Sequence, residues 1–74
     1  MGTWKPLYPR PEWSRGRVLG ALEQLDHPAG LEEIRRVARV PDASAAHALL
    51  QLEIRGVLVR EPNPVRQGFL WRIR

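Results

Sequence analysis

Apolar residues recur at helical spacing from residue 14 onward. Val18, Leu22 and Leu25 fall at i, i+4 and i+7 with Ala21 beside them, which predicts a first helix from Pro11 or Ser14 to about Asp26. His27-Pro28-Ala29-Gly30 carries two helix breakers and reads as a turn. A second stripe of Leu31, Ile34, Val37 and Ala38 predicts a helix from Leu31 to about Arg39. Its other side is charged, and Glu32 to Arg36 and Arg35 to Arg39 are i, i+4 charge spacings, the first in the favourable acid-before-base order. Pro41 disfavours a helical Val40, so this helix stops there, and Asp42 or Ser44 can cap a third helix from about Ala43 to Arg55. In that helix Ala46, Leu49, Leu50 and either Leu52 or Ile54 are expected inside, with Ser44, His47, Ala48, Gln51 and Arg55 facing solvent. Gly56 suits the left-handed residue that follows many helices.

The period then changes to two. Val57 to Arg60 is aliphatic and β-branched, Glu61 to Gly68 holds two prolines, an asparagine and a glycine, and Phe69 to Arg74 alternates apolar with basic. Strand, loop and strand are predicted, with Phe69, Trp71 and Ile73 toward the core and Leu70, Arg72 and Arg74 away from it. Ahead of the helices, the first 13 residues contain three prolines with Trp4, Tyr8 and Trp13. Proline excludes helix and central strand there, so an extended arm over 1–13 is expected before a domain over 14–74. Its aromatics need a surface, either that of their own domain or that of a protein partner or second copy.

Three helices, the second and third joined by about three residues, and a hairpin directly after them define an α+β winged helix-turn-helix pattern. The stretch AGLEEIRRVARVPDASAAHALLQLEIRGVLV resembles the helix-turn-helix core of bacterial winged-helix regulators. Its ending, LLQLEIRGVLV, is similar to the leucine-rich end of the third helix and first wing strand in the C-terminal winged domain of DNA-processing protein A. The resemblance implies a DNA-binding regulator or DNA-processing accessory factor whose third helix enters the major groove while the wing follows the backbone. Carried onto this chain, it makes Ser44, His47, Gln51 and Arg55 the candidates on the third helix, with Gln51 suited to adenine. Arg60, Arg66 and Arg72 are the phosphate candidates in the wing, Arg66 first among them. The chain departs from the pattern in one respect: its third helix is mostly alanine and leucine, so its reading surface is sparse. That departure keeps open a protein-interaction module, with Trp4, Tyr8 and Trp13 as partner or dimer contacts.

Charge sharpens this picture. Among 74 residues the formal net charge is +4, and eleven of the twelve cations are arginine. Residues 1–20 hold four basic and one acidic residue, residues 21–56 four and six, and residues 57–74 four and one. Positive charge therefore sits in the arm with the first helix and in the wing, which is where a DNA backbone would be held. Cysteine is absent, which excludes disulfides and cysteine-based zinc sites, and His27 and His47 lack carboxylate-rich surroundings, so no metal is expected. No nucleotide-binding glycine motif occurs, and the two serines, Ser14 and Ser44, have no base and acid at triad-like spacing. The expectation is a protein that is not an enzyme and uses no cofactor. With no apolar run near the roughly 20 residues a bilayer span needs and no leader-like N-terminus, a cytoplasmic protein without membrane attachment is expected.

Overall fold

The computed structural model describes residues 11–74. Three helices, α1 (Pro11–Leu25), α2 (Leu31–Ala38) and α3 (Asp42–Ile54), precede an antiparallel hairpin of β1 (Leu58–Pro62) and β2 (Phe69–Ile73). This is the α+β winged architecture expected. The arm aromatics Trp4 and Tyr8 lie outside the described residues, whereas Trp13 sits within α1 rather than in an extended segment. Proline at the start of α1 is compatible with helix because the first-turn N–H groups have no intrahelical acceptor.

The helix ends follow local chemistry. Asp26 closes α1 at φ 58°, a left-handed conformation that Asp tolerates better than most side chains, with its N–H on the Leu22 carbonyl at 3.0 Å. Arg39 closes α2 in the same conformation. Gly56, at φ 78°, completes a Schellman ending of α3: its N–H bonds the Glu53 carbonyl and the Val57 N–H bonds that of Leu52. The expected cap of α3 is different. Pro41 is the N-cap residue and no side chain caps the helix, while Asp42 is already helical and its carboxylate pairs with Arg35. The Glu32 to Arg36 spacing in α2 is not closed as an ion pair among the described residues.

The core lies where α1, α2 and α3 meet. Val18, Ala21 and Leu22 come from α1, Ile34 and Ala38 from α2, and Ala45, Ala48, Leu49 and Leu52 from α3. Leu25, Leu31 and Val37 pack at its margin as their stripes predicted. The face of α3 is rotated from the expected one: Ala48 is buried, whereas Ala46, Leu50 and Ile54 are exposed. The helix is apolar around nearly its whole circumference, so periodicity alone cannot choose its inner side. Fit does: the small Ala45 and Ala48 let the helices approach closely, and Leu49 and Leu52 fill the space between them.

The hairpin pairs Leu58 with Ile73, Arg60 with Trp71 and Pro62 with Phe69. The supposed turn before α2 also joins the sheet. Ala29, itself buried, exchanges both backbone bonds with Trp71 at 2.9 and 3.0 Å, so β2 lies between β1 and a one-residue bridge. This places Trp71 against the core, as expected. Its indole N–H is buried without a partner among the described residues. Phe69 and Ile73 stay 46% and 40% exposed, not inward as the alternation predicted. Arg60 covers the Phe69 ring in place of a core contact, its guanidinium 4.5 Å from the ring centroid.

Arg17 fastens α1 to the end of α2. Its Nε donates to the Ala38 carbonyl at 2.7 Å and its guanidinium lies 4.7 Å from the centroid of the Trp13 ring. A cation here meets the negative end of the α2 dipole. Arg17→Ala is expected to lower stability by about 1–2 kcal/mol, the scale of one charge-assisted bond with an exposed cation–π contact. Urea unfolding checks this, and an unchanged midpoint would remove the fastening from the account.

Candidate nucleic-acid interface

The outward side of α3 carries Ala43, Ala46, His47, Leu50 and Ile54, all exposed. Ser44 and Gln51 are half-buried on its flank and Arg55 is exposed at its end. Of the predicted residues on this helix, His47 stands on the ridge, while Ser44, Gln51 and Arg55 stand beside it. Leu50 and Ile54, expected in the core, occupy the ridge instead, 53% and 75% exposed.

Gln51 does not stand alone. Arg15 of α1 donates from Nη1 to its Oε1, and its Nε2 lies 3.5 Å from His47 Nε2. Arg15 was missing from the sequence-based set because its neighbours on α1 gave no reason to separate it from any other surface cation. The only signal available was its place one turn into α1, where the helix begins its crossing with α3.

The three wing arginines differ. Arg60 lies 3.6 Å from a Glu53 oxygen and so ties β1 back to α3, and Arg72 lies 3.5 Å from Glu61 across the hairpin. Both pairs are partly exposed, so each is worth at most about 1 kcal/mol, but each neutralises charge that a phosphate would otherwise meet. Arg66 has no acidic partner among the described residues and sits at the wing tip. The tip is held by Asn63, whose Oδ1 accepts the N–H groups of Val65 at 2.9 Å and Arg66 at 3.2 Å. Gly68 at φ 108° lets the chain return, and its carbonyl accepts the Asn63 N–H. Of the three wing candidates, Arg66 is the one without an acidic partner among the described residues.

Elsewhere, an open cleft of about 380 Å³ lies between the end of α1, His27–Pro28 and β2, lined by Glu23, Asp26 and Arg72 among others. Its charged groups are of mixed sign. Among the described residues no three His, Asp or Glu side chains are grouped to hold a metal ion. No helix among them is long and apolar enough to cross a membrane.

No protein-family model matches the chain, and no curated protein matches it significantly.

Proposed function

We propose that this chain is a small winged-helix DNA-binding protein, a regulator or DNA-processing accessory factor, that holds the duplex backbone mainly through arginines of the wing and of the N-terminal side. The observation that carries this reading is Arg66, a cation without an acidic partner among the described residues, on a wing tip that Asn63 fixes through two backbone N–H groups. Fixing the tip lowers the ordering cost of a phosphate contact. Arg55, exposed at the end of α3, adds a second cation without an acidic partner among the described residues, near the wing base.

Arg66→Ala should weaken binding to random-sequence duplex by about tenfold at about 50 mM salt, uniformly across sequences, as loss of one phosphate contact does. The charge-neutral pair Glu61→Gln with Arg72→Gln should stay within about twofold of the parent, because Arg72 is already engaged by Glu61. Fluorescence anisotropy with a labelled duplex measures both. Arg66→Ala binding as tightly as the parent would take the wing out of the reading.

A second reading has its own observation. Leu50 and Ile54 expose aliphatic surface on the ridge of α3, which favours a protein-interaction module that docks a partner or second copy. Sedimentation of the parent beside Leu50→Ser with Ile54→Ser separates the two for self-association. A dimer that the double substitution dissociates supports this reading; a parent that stays monomeric at high concentration removes the second copy.

A further inference from the structure

We propose that the exposed aliphatic ridge of α3, formed by Ala43, Ala46 and Leu50, takes the C5-methyl groups of thymine in the major groove. This rests on the DNA-binding reading and names the chemical group that one face of the site recognises.

A helix that reads bases through hydrogen bonds carries Arg, Lys, Asn or Gln where it meets the base edges. The outermost positions of α3 are Ala43, Ala46, His47, Leu50 and Ile54, all exposed, and four of the five are aliphatic. Ser44 and Gln51 stand lower, half-buried on the flank. Among the groups that unmodified base pairs present in the major groove, the thymine C5-methyl is the apolar one, and the rest of the code is donors and acceptors. Ridge and methyl are therefore matched in chemistry. At about 100° per residue, Ala43, Ala46 and Leu50 fall within roughly 60° of one another around the helix, so they share one side. They span roughly 10 Å along its axis, the length of about three base steps. The two alanines let the backbone come close to the base edges, and Leu50 reaches beyond them.

The charges around the ridge select a duplex over an apolar protein surface. Arg39 precedes α3 across the turn and Arg55 follows its last residue, both exposed and both without an acidic partner among the described residues. The two acids of α3 are each paired with an arginine of another element, Asp42 with Arg35 and Glu53 with Arg60. The ridge thus has an uncompensated cation at either end and no unpaired acid along it. That pattern complements the phosphate strands that border a groove.

The test uses the full chain and two duplexes of equal length, alternating d(AT) and the same duplex with uracil in place of every thymine. Uracil removes the methyl and keeps the phosphates and the hydrogen-bonding edges. Each is titrated by anisotropy at about 50 mM salt with the parent, Leu50→Ala and Leu50→Met, after thermal melts have confirmed that both variants fold. The parent should bind the thymine duplex about tenfold more tightly, the scale of two partly buried methyl contacts. Leu50→Ala should lower that ratio to about threefold by weakening the thymine complex, with the uracil complex within about twofold of the parent. Leu50→Met, which keeps the apolar reach, should retain most of the preference. A parent ratio near one overturns the proposal while leaving DNA binding standing, and sedimentation as a dimer beside it assigns the ridge to a second copy. Leu50→Ala that leaves the ratio unchanged, or weakens both duplexes equally, overturns it as well. A parent that binds neither duplex overturns the DNA-binding reading itself.

Discussion

Ile34→Ala should leave the chain largely unfolded at 25 °C. Ile34 is wholly buried in α2 and is, with Leu49 and Val18, among the largest side chains in that state. Five of the twelve buried apolar residues among those described are alanines, so a few large side chains carry most of the core. Truncating a buried isoleucine to alanine costs about 2–5 kcal/mol, the missing contacts and the cavity together. A core of this size supplies only roughly 3–5 kcal/mol in total. Far-UV circular dichroism through a urea titration checks the expectation. The predicted result is loss of most helical signal before denaturant is added; a cooperative transition within a few tenths molar of the parent would show that the three-helix core is not what holds the fold. Val37→Ala, at the core margin, is the matched comparison and should remain folded.

Arg66→Glu should weaken binding to random-sequence duplex by about a hundredfold at about 50 mM salt. Each phosphate contact contributes about 0.9 to the slope of log affinity against log salt, and reversal removes one attraction and adds one repulsion of similar size. The fold should be indifferent. Arg66 is exposed, and the bonds that shape its turn come from backbone N–H groups to Asn63, which the substitution keeps. A thermal melt overlaying that of the parent, beside the loss in anisotropy, is the expected pair of results. Unchanged affinity would place the wing tip away from DNA, and a lowered melt would show that the side chain has a structural role absent from the described contacts.

Much of the architecture is legible in the chain because single residues decide it. Val18, Leu22 and Ile34 have polar neighbours on the opposite helix face, so their stripes point one way. Pro41 permits few backbone conformations and Gly56 takes the left-handed one that other residues avoid, and both helix boundaries fell where they stand. The orientation of α3 was not legible. Leu49 and Leu50 are adjacent and equally apolar, yet one is buried and the other half-exposed, and the choice depends on how closely Ala45 and Ala48 let α1 and α2 approach. The bridge at Ala29 was hidden for a different reason: one residue of pairing has no period to detect.

The site divides the same way. Arg66 was legible because a loop of proline, asparagine and glycine puts whatever cation it contains at a tip. Glu53 with Arg60, Glu61 with Arg72, and above all Arg15 with Gln51, are encounters between elements, set by packing that no local pattern encodes. Those pairings also redistribute the charge that made the sequence look DNA-binding. Arg60 and Arg72 are paired with acids within the fold, and the arginines without an acidic partner among the described residues include Arg36, Arg39 and Arg74 as well as Arg15, Arg55 and Arg66.

The central claim, backbone binding of duplex DNA through these arginines, is tested most directly by the affinity for a random-sequence duplex at about 50 mM and about 200 mM salt. With about two phosphate contacts, from Arg55 and Arg66, affinity should fall roughly twelvefold across that range, a slope near −1.8. Binding that is flat across the two salt concentrations, or absent at the lower one, would contradict the account.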